Sequence, residues 1–503
     1  INYVNLSTAR AGTRAKEVGI RMVSGATRKE LIFQFLTEAL LHMVVALVLA
    51  LSLVELLLPL FNHLSDKNFD HQTLFSPQSL LMLGVLCGGM TIVSGFYPAF
   101  YLSSIEPGEV VRLKAQSKAG IQVWKRFFGP VYMRRYLVVL QFTLSIGLII
   151  GTLTVSNQFG YMRSKNLGFD KENVFILPVP NDSAVNNHLP RIKSELLKLP
   201  AVDAVASCSE VPGGHFGKLY FVVDHEVKRV NKILGFRFVD ESFIPMMKLQ
   251  LEGRNFDPAN VNDPQASFII NRTCAEFLGW ENPIGKMMEN GLGMKGTVIG
   301  VVDDFHYTSL HTPIEPMVMM FRPEGGRNIL VKMKAGNEEA AYEEVLTKWK
   351  TFAPNHPLEA YFMDEFMNRN YIKEGKMLDL FSYFTILAIF ISCLGLFGLA
   401  SYSTSLRTKE IGVRKVLGAS AGNIIFQLIR EFIVLVLLAN LFAWPLAAYY
   451  LNDWLNSFAY AIDLSVMPFV LATIGAMMIA GFTVAGISWM AANSNPVRAL
   501  RYE

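Results

Sequence analysis

Six stretches of the chain each hold about 20 mostly apolar residues in a row, the length that carries an α-helix across a bilayer. They run over 36–60, 79–102, 136–158, 378–402, 425–450 and 466–490. From 160 to 376 the pattern changes. Short β-rich runs such as NVFILPV, GKLYFVV, ASFIIN and GTVIGVV alternate there with helical segments at 188–199 and 337–352, and proline and glycine interrupt often. The pattern predicts an α-helical membrane protein with six transmembrane helices. It adds an α+β extracytoplasmic domain with a core of its own and room for two subdomains.

The polar segments between the spans set an orientation, because loops rich in Lys and Arg stay on the cytoplasmic side. Arg10, Arg14, Lys16, Arg21, Arg28 and Lys29 precede the first span. The segments after the second and fourth spans are also basic, and so is the tail with Arg498 and Arg501. The opposite loops are poor in such residues: 62–78 has only Lys67 and 451–464 has none. Every loop agrees with both ends being cytoplasmic and 160–376 lying outside.

One polar pattern occurs twice. TRAKEVGIRMVSGA at 13–26 returns as LRTKEIGVRKVLGA at 406–419, and residues 14–38 and 407–431 share 12 of 25 identities at a fixed offset of 393. Each copy is followed by a span, an outer loop and another span, as in an internally duplicated membrane module. Glu17 and Arg21 are spaced i,i+4, as are Glu410 and Arg414, in the favourable order for a helix. Gly25 and Gly418 are natural helix stops. Thr27 and Glu30 form a capping box that opens the next helix; Ser420 caps the second copy, where Asn423 replaces the glutamate. Each copy therefore predicts a short charged helix on the inner face, a sharp break and a helix running into the membrane. Orientation alone needs only positive charge. Matching Glu17, Gly19, Arg21 and Gly25 with Glu410, Gly412, Arg414 and Gly418 suits a protein partner that docks twice.

Composition sharpens the class. Of 503 residues 51% are hydrophobic and 17% charged, with a mean hydropathy of +0.31, well below the roughly 25% charge of a soluble domain. A net charge of +4 gives no argument for nucleic acid. Cys87, Cys208, Cys274 and Cys393 have no CxxC spacing, so no zinc or thioredoxin-like motif is expected; a disulfide between Cys208 and Cys274 is left open. The chain starts at Ile1, and INYVNLSTARA reads as the tail of a helix.

The repeat RTKEIGVRKVLGAS, with FGLASYSTSLR before it, resembles the signature of the FtsX-like permease domain of ABC transporters. The outer region resembles the MacB-type periplasmic core through FVDESFIPMMKLQLEGRNF (238–256), FIINRTCAEFLGWENPIGK (268–286) and VIGVVDDFHYTSLHTPIEP (298–316). The resemblance covers nearly the whole chain. It implies a first FtsX-like module over 1–115, a cytoplasmic linker over 116–135, a MacB-like periplasmic core over 160–376 and a second FtsX-like module over 378–503. It also implies a longer layout, relative to which this sequence lacks an N-terminal part. The implied role is a permease subunit in the cell inner membrane, not itself an enzyme. A cytoplasmic ABC ATPase dimer, carrying ATP and Mg, would dock on the coupling helices at 13–26 and 406–419 and drive the periplasmic domain by mechanotransmission. Export or extraction of peptides, drugs or lipoproteins would follow. The alternative is a signalling module that drives a periplasmic partner such as a cell-wall hydrolase without transport. A periplasmic fusion protein, a second copy or a related permease, and membrane lipids are the other implied partners.

Other signals are weaker. GWENPIGK (279–286) has five residues between its glycines and Met287 after Lys286, unlike a phosphate loop, and reads as a turn. No Walker A sequence occurs in these 503 residues. Asp303, Asp304, His306 and His311 match no standard zinc spacing. HEVKR at 225 reads as a solvated loop. Glu38 and Glu431 recur at matching positions near the inner ends of their spans, where pairing with a nearby arginine is expected. His42 and Glu55 are ionisable residues within the first span. The glycines in 84–95 and 395–398 suggest close helix packing.

Overall fold

The computed structural model describes residues 2–65, 67–70, 72, 75–103, 130–214, 216–225, 228–323, 326–336, 338–369 and 372–493. The chain divides into two compact units. One comprises Ile1–Asn157, Lys376–Asp453 and Asp463–Glu503; the other comprises Gln158–Gly375 with Trp454–Ile462. In chain order the helices used below are α1 (Asn2–Val23), α2 (Arg28–Ser65), α3 (Pro77–Ser103) and α4 (Pro130–Ser164). The outer domain then supplies α5 (Leu189–Leu197), α6 (Arg272–Phe277), α7 (Glu338–Phe352) and α8 (Met363–Arg369). The chain closes with α9 (Ile372–Leu406), α10 (Thr408–Val416), α11 (Ala421–Leu455) and α12 (Met467–Ala492).

Among the described residues, five segments are long and apolar enough to cross a membrane: Arg28–Asn62, Tyr132–Ser164, Gly375–Leu406, Ala421–Leu455 and Met467–Met490. The sixth expected span, 79–102, falls in α3, whose apolar stretch among the searched residues is Pro77–Ile92. The core of this unit is built from small and branched residues. Ala472, Ala476 and Ala480 make a stripe along α12 and are buried with Val436, Ala439 and Ala443 of α11. Small side chains let helices approach closely, which is how spans associate in lipid. Large apolar side chains such as Leu441, Phe442 and Phe482 point outward, as a lipid-facing surface requires. Gly95 and Gly395 do sit at close helix approaches: a Cβ at Gly95 would lie 3.1 Å from Ala39, and one at Gly395 would collide with Asn2. Gly84, Gly88 and Gly89 instead face open space.

Helices α4 and α9, which flank the outer domain in sequence, are joined by a polar ladder. Ser145 Oγ and Ser392 Oγ are 2.8 Å apart, and Thr152 Oγ1 and Thr385 Oγ1 are 2.7 Å apart. The partners are seven residues apart on both helices and run antiparallel. One heptad further in, Val138 and Leu399 occupy the matching positions, and both are buried in the helical core. This is the heptad seam of coiled-coil packing, with hydroxyl pairs in place of two apolar layers.

In the other unit the strands are β1 (Val174–Pro178), β2 (Val202–Cys208), β3 (Gly217–His225), β4 (Lys228–Val239), β5 (Leu251–Gly253) and β6 (Ser267–Asn271). They continue as β7 (Met287–Asn290), β8 (Lys295–Val302), β9 (Met317–Phe321), β10 (Asn328–Met333) and β11 (Tyr361–Phe362). Hydrogen bonding links them in the order β11-β1-β10-β2-β4-β3-β7-β8-β6-β9, and β4 also pairs with β9. That last pairing closes β4, β3, β7, β8, β6 and β9 into a six-stranded ring. The ring meets the β2 side through a single residue pair, Cys208 with Val239. Two separate cores result. Phe175, Leu177, Ile192, Leu196 and Trp349 fill one under α5 and α7, and Phe221, Phe268, Ile270, Val301 and Met320 fill the other inside the ring. Two subdomains thus share one continuous sheet. Cys208 and Cys274 are free thiols buried in this domain, not a disulfide; burial pushes each up to about 12.

A twice-built clasp as candidate docking site

The repeated sequence builds the same object twice. Arg21 Nη2 lies 2.8 Å from Glu17 Oε1, and Arg21 Nη1 donates to Gln34 Oε1 at 2.8 Å. At the same offset, Arg414 Nη2 lies 2.7 Å from Glu410 Oε1, and Arg414 Nη1 donates to Gln427 Oε1 at 2.5 Å. Each arginine thus ties its own helix to the start of the next. The two helices are joined by identical backbone bonds. Gly25 N–H donates to Met22 O and Ala26 N–H to Arg21 O; Gly418 N–H donates to Lys415 O and Ala419 N–H to Arg414 O. This is the glycine-terminated helix stop known as the Schellman motif. It requires a left-handed residue, and Gly25 and Gly418 have φ of 99° and 91°.

The following helix starts are also as the sequence suggests. Thr27 N–H donates to Glu30 Oε2 at 2.8 Å and Glu30 N–H to Thr27 Oγ1 at 3.4 Å. In the second copy Asn423 N–H donates to Ser420 Oγ at 3.3 Å. The buried and exposed positions match too. Gly19 and Gly412 are buried, and Val18 and Ile411, then Leu31 and Ile424, face inward. Ile20 and Val413, Val23 and Val416, and Phe33 and Phe426 all point outward. Each clasp therefore presents exposed apolar side chains beside a paired Glu and Arg, a surface suited to a partner groove with an apolar floor and a polar rim.

The copies differ in what precedes them. The first is the end of the unbroken 22-residue α1. The second is a separate nine-residue helix, α10, set off from α9 at Arg407. There Arg407 N–H is shared between the carbonyls of Ser403 and Thr404, and the Arg407 guanidinium holds Glu431 at 2.7 and 3.2 Å. The arginine pairing expected for Glu431 is thus present. Its equivalent in the first copy is Arg14 with Glu38, and the Arg14 side chain lies outside the described ones. Lys16 and Lys409 lie outside them too. Sequence reasoning missed the role of Gln34 and Gln427, although both stand among the repeated identities.

The other sequence signals resolve into structural contacts. Asp303 pairs with Arg272 at 2.8 Å, and Asp304 accepts from Thr273 N–H and Oγ1. His306 and His311 turn instead toward the segment 454–462. The His306 ring meets Tyr460 edge-on at 4.6 Å and the His311 ring stacks on Phe458 at 5.0 Å. Gln158 closes the contact, donating to Tyr460 O and accepting from Ile462 N–H, both at 2.9 Å. Burial, helped by the charge of Lys165, pushes His306 down to about 4. The turn within GWENPIGK is held by Gly285 N–H on Val298 O. His42 and Glu55 are exposed on α2. The strands β3 and β4 end at His225 and restart at Lys228, and the residues between lie outside the described ones.

The family profile for the FtsX-like permease C-terminal domain matches residues 1–107 and 382–496, so it takes in both clasps. The profile for the MacB-like periplasmic core domain matches 137–348. The macrolide export ATP-binding/permease protein MacB of Neisseria meningitidis (serogroup A, serotype 4A) is 28% identical over 281 residues, covering 52% of this chain and 42% of that protein. The uncharacterized ABC transporter permease YknZ of Bacillus subtilis is 22% identical over 335 residues, covering 61% of this chain and 80% of that one. Among solved structures, the periplasmic region of MacB from Actinobacillus actinomycetemcomitans aligns at 15% identity with a TM-score of 0.31, covering 41% of this chain and 96% of that one. The chain thus spans less than half the length of the meningococcal relative.

Proposed function

Because this chain belongs to the FtsX/MacB-type permeases, we propose that it is the membrane subunit of a mechanotransmitting ABC system. In this reading a separate cytoplasmic ATPase dimer holds ATP and Mg and docks on the two clasps. The helix carrying Glu17, Gly19, Arg21 and Gly25 forms one contact, and that carrying Glu410, Gly412, Arg414 and Gly418 the other, with the buried Gly19 and Gly412 on the inward side of each helix. The observation that carries the reading is the clasp itself. The same ion pair, glutamine tie, glycine stop and outward apolar residues recur at an offset of 393, as two equivalent subunits of one partner would demand. Rigid ties matter because a docking helix transmits force only if it cannot swivel against the span it precedes.

We further infer that α3 is a sixth span, that both ends are cytoplasmic and that 160–376 lies in the periplasm. The distribution of Lys and Arg supports this orientation. ATP-driven closure of the ATPase would shift α1 and α10, and the helices that follow would carry the displacement outward to the domain built on β1 to β11. Export or extraction of peptides, drugs or lipoproteins is the outcome this arrangement suits.

The test is charge reversal at the second clasp. In Glu410→Arg/Arg414→Glu, ATPase recovered with the chain from crosslinked native membranes falls at least tenfold, while the amount of inserted chain stays the same. ATPase recovery equal to wild type would refute the docking role.

A further inference from the structure

The first residue past the apolar segment Tyr132–Ser164 is Lys165. Its ammonium donates to the Tyr161 hydroxyl at 3.2 Å and lies 3.7 Å from the ring centre of Tyr460, in the connector between α11 and α12. Tyrosines at the ends of spans sit at the depth of the lipid headgroups. From Lys165 to Glu172 every residue but Gly168 lines an open cavity of about 350 Å³, large enough for a small ligand.

The cavity is preformed. Gly168 N–H donates to Asn166 Oδ1 at 2.9 Å, and Gly168 packs so closely that a Cβ would lie 3.0 Å from Asp304 O and from Phe305. His306 N–H donates to Leu167 O at 2.8 Å, and Asp170 N–H to Met247 O at 3.0 Å. Leu167 and Phe169 are buried and give the lining its apolar wall. The ionisable side chains on that lining are Lys165, Asp170, Lys171 and Glu172. Asp170 is committed to holding the wall together, with Lys332 at 2.6 Å and Lys248 at 2.7 Å. Glu172 stands within the electrostatic reach of Lys248, whose ammonium that bond to Asp170 occupies. Lys165 has given one of its three donors to Tyr161. Lys165 and Lys171 therefore offer positive charge, and Glu172 a negative one, around a single cavity.

We propose that residues 165–172 bind the headgroup of a zwitterionic phospholipid that carries a primary ammonium. Lys165 and Lys171 hold the phosphodiester through charge-assisted bonds, and Glu172 holds the ammonium. Position favours a lipid over a free phosphate ester, because the cavity begins at the residue where an apolar helix ends. Headgroups lie at that depth on either side of a bilayer, so the assignment does not depend on which way the chain is oriented. A lipid held there steadies α4 where it leaves the hydrocarbon.

The test uses the full chain in nanodiscs of phosphatidylcholine with phosphatidylethanolamine. A carbodiimide joins a carboxylate to a primary amine in direct contact, and peptide mass spectrometry locates the lipid adduct. Asp463, an exposed carboxylate in the same connector as Tyr460, reports mere nearness to the membrane. The expected adduct on Glu172 is about tenfold above that on Asp463, falls to the Asp463 level in Lys171→Gln and is kept in Lys171→Arg. Equal labelling of Glu172 and Asp463 overturns the proposal, as does unchanged labelling of Glu172 in Lys171→Gln. Soluble glycerophosphoethanolamine that labels Glu172 in pure phosphatidylcholine discs as strongly as the membrane lipid does would assign the site to a free ester and also overturn it. If Lys171→Gln does not insert, the wild-type comparisons with Asp463 and with the soluble ester decide.

Discussion

Arg414 and Gln427 meet at 2.5 Å across the glycine stop that separates α10 from α11. The bond is exposed and charge-assisted, and it fixes the angle between a surface helix and a span. Gln427→Ala should loosen that angle by about 1 kcal/mol. Amide exchange at Gly418 and Ala419 would then rise about fivefold while the spans stay protected. Unchanged exchange there would show that the glycine stop alone holds the turn.

The stop itself makes a second prediction. A Cβ at Gly418 would meet nothing within 4 Å, so the cost of Gly418→Ala is conformational, about 1–2 kcal/mol for a left-handed residue. Gly418→Asn should recover much of this, because asparagine tolerates that conformation. Limited proteolysis at the turn ranks the three variants, with cleavage fastest for alanine.

Ser145→Val and Ser392→Val each leave one hydroxyl without its partner in the α4–α9 seam. Each single change should destabilise the helical bundle by about 0.6 kcal/mol, the usual size of an interhelical bond in a membrane. The double change should cost less than the sum of the two. A double-mutant cycle under steric-trapping unfolding measures this, and strict additivity would mean the bond contributes nothing.

His306 supplies a pH prediction. Its ordinary value is near 6.5, and burial holds it near 4 in the folded domain. The folded state therefore refuses a proton that the unfolded chain accepts. Stability should be full above about pH 6.5, fall as pH drops toward 4, and lose nothing further from this group below that. The stability difference between wild type and His306→Gln should shrink over the same window as the imidazole loses its advantage. Thermal midpoints of both forms between pH 7 and 4 check it; a constant difference across that range would exclude His306 as the titrating group.

Much of this architecture was legible because it rests on one-dimensional pattern. Apolar runs gave the five long helices, and the repeat gave both glycine stops and the Thr27–Glu30 capping box. The rest depends on partners distant in sequence. Ser145, Thr152, Thr385 and Ser392 look like ordinary small residues in apolar runs, and only antiparallel pairing makes them a ladder. Their seven-residue spacing on both helices was the available signal. Gln34 and Gln427 could have been found by asking why an amide was kept in both copies, but their bonds span 13 residues and a turn. The ring closure of β4 on β9 left no local trace at all. Arg237 alternates with Phe236 and Phe238, which pack on the core inside the ring, so it lies on the opposite face of β4; its burial there depends on distant segments and has no local signal.

The closed ring has a consequence for recognition. Each of β4, β3, β7, β8, β6 and β9 is bonded to a neighbour along both of its edges. Where both edges are taken, as in β4 from Gly235 to Phe236, such a half offers no ladder on which a visiting peptide could be laid down as an extra strand. Whatever meets those closed stretches must read their relief and their chemistry, side chain by side chain, and so can be let go without unpicking any backbone.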